Sequence, residues 1–286
     1  MRRKRLRVKL TTLSQKNLIK LAKKDQDQGN IDSAIRNLEE ALNDGHSTEV
    51  VLKLCELYLL NKQEDQAYFL IKEEPDLFSN SHVFDEYLRI LQANNFFIEA
   101  KEVENLLNKK LEIEIVPVET SRQFKIMQEV RNSTSLSQIE YLKVLKLDLN
   151  NFKNFAQSIL LDPSQNFALR IALCADLVRL GIKDTMKVLI LGQEEEFIPA
   201  KANLLEKDPL FKEVISSLGD RFYHSPAQLG MMIGEANLVL GNLYPRLDKY
   251  VDEPDSFAKD LASYLQTSDG GSHQQLLEKV YANLFK

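Results

Sequence analysis

The feature that most constrains this chain is a repeat with a period of 33 residues. Alanine recurs at this interval, at Ala34, Ala67 and Ala100. Two further columns share the period and hold apolar residues: Leu18, Val51 and Phe84 in one, and Leu21, Leu54 and Tyr87 in the other. Such a period is typical of stacked helical hairpins, because one hairpin cannot bury its own apolar stripe and needs a neighbour. We therefore predict that the chain begins with a stack of helix pairs.

Each repeat is predicted to contain two amphipathic helices, A and B. In the first repeat, Leu18, Leu21 and Ala22 share one face of helix A, and helix B continues from Ala34 with apolar residues at helical spacing. Gly29 lies between the two helices, where a turn favours a positive φ. The recurring alanine is small because the helices must cross closely there. The alternative is a set of ordinary helices whose spacing coincides.

The repeated residues resemble a degenerate tetratricopeptide repeat. The matching positions are Leu21, Ala22, Gly29, Ala34, Leu38 and Ala41 in the first repeat, Leu54, Cys55, Tyr58 and Ala67 in the second, and Phe84, Leu91 and Ala100 in the third. The sequence departs from the family pattern at Asp25, where an aromatic residue is usual, and at Leu88, where a small residue is usual.

The resemblance implies a non-enzymatic scaffold whose concave surface, formed by helix A of each repeat, binds a peptide or helix of a partner protein. The groove-facing candidates that it implies are Lys16, Ile19, Lys23, Leu52, Glu56, Leu59, Asp85, Arg89 and Gln92. Their chemistry is mixed, and the lysine–asparagine clamp that some relatives use for a C-terminal carboxylate is incomplete. The identity of the partner and the oligomeric state therefore stay open.

The rest of the chain predicts a mainly α fold in several parts. These are a basic arm at 1–10, repeats at 11–110, an extended linker at 111–120, and a helical domain at 121–286 with a small β-hairpin near 186–199. In the linker, Leu111, Ile113 and Ile115 alternate with glutamate, which indicates an extended segment, and Pro117 favours an edge strand or a linker. The helix pairs of the second half resemble HEAT-type hairpins.

Capping residues predict where several of these later helices begin. We expect a capping box at Ser135–Gln138, and N-caps followed by proline at Asp162–Pro163, Asp208–Pro209 and Ser225–Pro226. Asp269–Ser272 is rich in glycine and is predicted to be a flexible joint. The order of these parts resembles that of uncharacterised Gram-positive bacterial tetratricopeptide proteins with a helical C-terminal domain, a resemblance that implies no activity.

The charge is unevenly distributed. Ten of the 37 Lys and Arg residues lie among the first 24 residues, which hold no acid, so that 27 basic residues face all 42 acidic ones in the remainder. The residues of the basic arm are Arg2, Arg3, Lys4, Arg5, Arg7 and Lys9. Such an arm can contact nucleic acid or a ribosome, or it can stay solvated or pair with the protein's own acidic surface. Without base-reading residues beside it, we expect any nucleic-acid binding to be weak and sequence-blind.

The sequence contains no motif of a known catalytic or cofactor site, and we expect neither an enzyme nor a bound cofactor or metal. The histidines at His46, His82, His224 and His273 lack metal-ligand spacing, and Cys55 and Cys174 are predicted to be buried thiols. We also expect Glu194–Glu196 to face water, and Met231 and Met232 to lie in the core unless they contact a peptide. No apolar run is long enough to span a membrane, which favours a cytoplasmic protein.

Overall fold

The computed structural model of the protein describes residues 13–133 and 137–284. Within those residues the fold is mainly α-helical, with one small antiparallel β-hairpin, as the sequence predicts. The chain divides into two compact units. The first runs to Ala100 and includes Lys110–Val118, and the second comprises Lys101–Lys109 and the chain from Glu119 onward. The predicted basic arm lies outside the described residues.

Three helix pairs follow one another in the repeat region. They are α1 (Leu13–Asp27) with α2 (Ile31–Asn43), α3 (Thr48–Leu60) with α4 (Glu64–Lys72), and α5 (Ser81–Asn94) with α6 (Phe97–Leu107). Each pair turns through one residue with a positive φ, at Gly29 (78°), Lys62 (58°) and Asn95 (57°). These three residues are also 33 apart, so the turns keep the period of the alanines.

The recurring alanines are all buried, and the middle one lies at a close helix crossing. Ala34 and Ala67 are 0% exposed and Ala100 is 3% exposed. At the middle crossing, the thiol of Cys55 on α3 lies 3.7 Å from the carbonyl oxygen of Ala67 on α4. A side chain larger than alanine would push these two helices apart, which explains the small residue.

In one set of equivalent repeat positions, the residue of the first repeat is not buried. Leu54 and Tyr87 are 1% exposed, but Leu21 is 50% exposed, so its predicted place on a buried face is wrong. Among the described residues, α1 packs mainly against α2, which leaves the Leu21 side of α1 uncovered. Gln15 is buried instead, and its side-chain amide donates hydrogen bonds to the carbonyl oxygens of Ala41 (2.9 Å) and Gly45 (2.7 Å).

The described part of the second unit after Glu119 contains eight α-helices, five short 3-10 helices and the hairpin. The α-helices and strands are α7 (Thr120–Asn132), α8 (Gln138–Leu142), α9 (Leu149–Leu160), α10 (Phe167–Arg179), β1 (Met186–Ile190), β2 (Gln193–Phe197), α11 (Pro209–Arg221), α12 (Pro226–Leu243), α13 (Pro254–Thr267) and α14 (Gln274–Leu284). The strands pair with Met186 opposite Phe197 and Ile190 opposite Gln193. Their two-residue turn has a positive φ at both Leu191 and Gly192, the geometry that suits tight hairpins.

The predicted caps had different outcomes. Asp208 caps α11 as predicted, because its carboxylate accepts hydrogen bonds from the backbone of Leu210 and Phe211. The prediction for Asp162 is wrong: its carboxylate bonds the backbone and hydroxyl of Ser164 in a turn, and α10 begins only at Phe167 behind an Asn166 cap. An aspartate whose carboxylate already accepts hydrogen bonds from the residue two positions later is not available to cap a helix.

Two other helix starts differ in detail from the prediction. Ser135 lies outside the described residues, and the capping box that opens α8 consists of Ser137 and Glu140. Pro226 does open α12, but Ser225 makes no side-chain cap hydrogen bond. Among the described helices, none has the length and apolar character needed to cross a bilayer.

The predicted flexible joint at Asp269–Ser272 is instead a folded turn. Gly271 has a φ of 51°, and an added Cβ there would lie 2.6 Å from Oδ1 of Asp260. The carboxylate of Asp260 accepts a hydrogen bond from the Ser272 hydroxyl at 2.8 Å. Nδ1 of the buried His273 also lies 2.8 Å from this carboxylate. Glycine is therefore required here by a close approach rather than by flexibility.

Candidate partner-binding face

The predicted groove residues form one stripe on each A helix. We call these nine residues the A face; they are Lys16, Ile19 and Lys23 on α1, Leu52, Glu56 and Leu59 on α3, and Asp85, Arg89 and Gln92 on α5. The spacing within each trio is three or four residues, which places its members on one side of their helix. None of the nine is buried, and the three aliphatic side chains are partly covered. Helices α3 and α5 pack directly against each other.

The opposite sides of the same helices are packed and hydrogen-bonded. On α3, Tyr58 donates a hydrogen bond to Glu39 at 2.7 Å, and Leu54 is buried. On α5, Tyr87 is 1% exposed and its hydroxyl donates to Glu99 at 2.5 Å. Each of these two A helices therefore buries one side inside the repeat and leaves the predicted stripe accessible.

Helix α1 carries a group of exposed positive charges. Its four lysines, Lys16, Lys20, Lys23 and Lys24, are all exposed and form no ion pair with a described residue. On α5, by contrast, Arg89 pairs with Glu86 at 2.8 Å. Burial raises the pKa of the Glu86 carboxyl, and the neighbouring Arg89 lowers it by a smaller amount.

The α5 end of the A face is already in contact with part of the chain. The segment 111–118, which we call the strap, has no regular secondary structure. The side-chain amide of Gln92 donates to the carbonyl oxygen of Glu114 at 2.9 Å, and that of Asn95 donates to the carbonyl oxygen of Val116 at 3.2 Å. Ile115 lies between these two carbonyls in the sequence and is 7% exposed. The sequence predicted the extended, alternating character of this segment but not its contact with α5.

The second unit has an open cavity of about 590 Å³ beside the β-hairpin. In its lining, Arg246 donates to the carbonyl oxygen of Glu196 at 2.7 Å and to the carboxylate of Asp248 at 2.8 Å. The bond to Asp248 raises the pKa of the Arg246 guanidinium. Lys201 is the second cation in the lining of this cavity.

The prediction that Glu194–Glu196 faces water is wrong for the middle residue. Glu195 is 7% exposed and its carboxylate pairs with Lys249 and, at 4.0 Å, with Arg246. The cause is the alternation of β2, which turns Glu195 and Phe197 to the same inner side. The alternation of inward and outward residues along a strand could have predicted that Glu195 faces inward, but three consecutive acidic residues obscured it.

A second buried carboxylate lies among helices of this unit. Asp176 is 4% exposed, accepts a hydrogen bond from the Tyr141 hydroxyl, and pairs with Arg179 at 2.6 Å. Burial raises the pKa of Asp176 despite these partners. Nothing in the sequence marks this residue, which sits inside an apolar helical run. Tyr141 and Arg179 therefore satisfy the buried carboxylate.

The two cysteines are buried and free, as predicted. Burial raises the pKa of the Cys174 thiol to about 12 and also raises that of Cys55, so both stay protonated at neutral pH. A protonated, buried thiol is a poor nucleophile. Of the two methionines, Met232 lies in the core at 1% exposed, whereas Met231 is 54% exposed, which is not the predicted core position.

The four histidines are spread over the structure. His46 lies 2.6 Å from the buried carboxylate of Glu74, and His224 packs against the ring of Tyr223. His82 is exposed, and Asn80 caps its helix. Only His273 is buried, beside Asp260. Within the described ranges, no three His, Cys, Asp or Glu side chains are placed to hold a metal ion.

These features define a mainly α protein with helical-hairpin repeats in its first unit. Comparison of the sequence with protein-family models, with curated proteins and with solved structures found no match. A function for this chain must therefore be inferred from the geometry of its described residues.

Proposed function

We propose that the protein is a non-enzymatic cytoplasmic scaffold of the tetratricopeptide type, related to the Gram-positive bacterial group that its sequence resembles. In this proposal the A face holds a peptide or helix of a partner protein. The 33-residue period shared by three buried alanines and three left-handed turns supports the tetratricopeptide assignment. The protonated, buried thiols of Cys55 in the first unit and Cys174 in the second support a role other than catalysis.

One observation carries the binding proposal. Ile19, Leu52 and Leu59 keep partial exposure, and charged residues lie beside them on their helices. Leu52 and Leu59 lie on α3, whose opposite side is packed. Aliphatic side chains rimmed by charge are typical of surfaces that bind another protein. The core of the repeat does not require these three residues at the surface, because separate residues already fill it.

The first test locates the partner on the molecule. A photo-crosslinking amino acid would replace Glu56, which lies at the centre of the A face, and in a matched control it would replace Glu73, an exposed residue after α4. We expect a protein adduct at Glu56 in the native cell and none at Glu73. Equal adducts at both positions would contradict a specific A face.

The second test measures affinity for the partner so identified. The change is Leu52→Ser with Leu59→Ser, and the matched control is Leu60→Ser, because Leu60 is adjacent to Leu59 but 61% exposed on another side of α3. Losing two interface aliphatics should weaken binding by about 30-fold or more, since each is worth on the order of 1 kcal/mol or more. The control should bind as the wild type does. Equal affinity in all three proteins would overturn the proposal.

A second candidate function is favoured by the charge on α1. Four exposed lysines without a described ion-pair partner, next in sequence to the basic arm, suit weak contact with phosphate groups on nucleic acid or a ribosome. We expect deletion of residues 1–9 to abolish such binding and to leave partner binding intact. The measurement is affinity for a duplex of random sequence at low and high salt. Tight, sequence-selective binding that persists in high salt would favour this function over the scaffold.

A further inference from the structure

Two backbone carbonyls of the strap accept hydrogen bonds from α5 and its C-cap residue. Gln92 and Asn95 each donate a side-chain amide hydrogen bond to a strap carbonyl, and the two carbonyls belong to residues 114 and 116. In an extended chain, residues two apart present their carbonyls on the same side, so this pair of donors recognises an extended backbone. Any peptide in that conformation offers the same two acceptors.

Side-chain burial along the strap alternates. Ile115 is 7% exposed, whereas its neighbours Glu114 and Val116 are exposed, the latter at 51%. One aliphatic side chain is therefore covered between two backbone hydrogen bonds. Backbone bonds for affinity and a covered alternate side chain for specificity are the two elements by which extended peptides are recognised.

We propose that Gln92, Asn95 and the site that covers Ile115 form a binding site for an extended peptide in which aliphatic and acidic residues alternate, and that the strap is its resident occupant. This inference rests on the proposed function and names the chemistry of the partner. The partner segment displaces the strap from α5. The alternation proposed for the partner copies the strap, in which Leu111, Ile113 and Ile115 alternate with glutamate.

A resident occupant has a measurable consequence. Because the strap is tethered beside its site, its effective concentration is on the order of millimolar, and a free peptide binds only the fraction of molecules in which the site is open. A substitution that loosens the strap should therefore strengthen binding of a free peptide. A site with no resident occupant would show no such gain.

The experiment uses the full chain and a fluorescent peptide that copies residues 111–118. The strap is loosened by Ile115→Ser, and the matched control is Val116→Ser, which alters an exposed neighbour. We expect Ile115→Ser to raise the affinity for the peptide by about tenfold or more over the wild type, and Val116→Ser to leave it unchanged. A peptide with serine at the place of Ile115 should not bind any of the three proteins.

The site itself is tested in the loosened background. Adding Gln92→Ala and Asn95→Gly to Ile115→Ser should abolish the gain; glycine is chosen because Asn95 has a φ of 57°. A gain that survives these changes, or the absence of any gain, would overturn the inference. If Ile115→Ser unfolds, as circular dichroism would reveal, a glycine–serine replacement of residues 113–116 with the same length takes its place, with the same expected gain and loss.

The outcomes separate this inference from the proposed function. Adducts at Glu56 together with no effect of strap release would overturn the inference and leave the scaffold standing. Peptide binding that increases on strap release, with no adduct at Glu56 in cells, would support the site and count against a partner on the wider A face.

Discussion

Both units bring helices close together, but they do so through different sequence patterns. In the first unit a small, buried residue recurs at Ala34, Ala67 and Ala100. In the second unit a single glycine, Gly241 on α12, faces α10: a Cβ added there would lie 2.8 Å from Cδ1 of Ile171. In both units a small residue allows two helices to approach closely. Only in the first unit does that residue recur at a fixed interval, which makes it recognisable in a single sequence.

Each unit also buries a carboxylate that accepts tyrosine hydroxyls. Glu99 accepts hydrogen bonds from Tyr68 (2.6 Å) and Tyr87 (2.5 Å) and pairs with Lys72 at 2.6 Å. Its arrangement joins α4, α5 and α6, and it resembles that of Asp176 in the second unit. Both the repeat unit and the second unit therefore contain a buried carboxylate that accepts from one or two tyrosine hydroxyls and pairs with one cation.

The largest expected effect is at the middle alanine crossing. Ala67→Glu places bulk and charge where the wild-type side chain is 0% exposed and Cys55 is in contact, so we expect a loss of about 3 kcal/mol in the free energy of unfolding. Chemical denaturation of both proteins measures it. The control is Gln66→Glu, since Gln66 is exposed on the same helix. An unchanged transition for Ala67→Glu would remove the physical basis of the repeat.

A smaller and pH-dependent effect is expected at Asp176→Asn. Burial raises the pKa of Asp176 in the folded state, so the fold holds this proton more tightly than the unfolded chain does. The wild-type contribution is then fully present below the unfolded pKa and is lost as pH rises through the folded pKa. We expect any stability advantage of the wild type over Asp176→Asn to shrink with rising pH, by about 1 kcal/mol or more. Denaturation of the two proteins from pH 4 to 8 measures the difference.

Asp260→Asn should show the opposite sign and serves as the internal comparison. Burial acts to raise the pKa of Asp260, but hydrogen bonds from His273 and Ser272 lower it below its usual value. Its contribution is present above the unfolded pKa and lost as pH falls through the folded pKa, so the cost of Asp260→Asn should grow with rising pH. The same trend with pH at both positions would show that the cause assigned to one shift is wrong.

The smallest effect is expected at Gly241→Ala. The added methyl group meets Ile171 and, at 2.9 Å, the ring of Phe167, which costs about 2 kcal/mol, whereas alanine favours the helix by about 1 kcal/mol. The net loss should be about 1 kcal/mol, measured by thermal unfolding. Gly234→Ala is the control, because nothing lies within 4 Å of its added Cβ, and it should gain stability. A gain in stability at both positions would show that the α10–α12 crossing tolerates a larger side chain, unlike the alanine crossing of the repeat.

The sequence predicted those elements whose cause is local or periodic. The helix pairs, the Asp208 cap and the β-hairpin arise from spacing and from turn residues that act within a few positions. The failures at Asp162, Leu21 and Glu195 have other causes: a competing turn, a side of α1 that α2 does not cover, and a strand face obscured by three acids. The candidate face was predicted as a stripe of residues, but the strap that contacts Gln92 is a tertiary feature with no local signal.

The three turns of the repeat have a consequence for how such a chain can diverge. A glycine, a lysine and an asparagine adopt the same left-handed conformation at equivalent positions, although it costs a lysine on the order of 1 kcal/mol relative to glycine. What the three repeats share at this position is therefore a backbone torsion angle and not a residue type. The residue type at such a turn can therefore change during evolution, at a modest cost in stability, while the hairpin keeps the same backbone geometry.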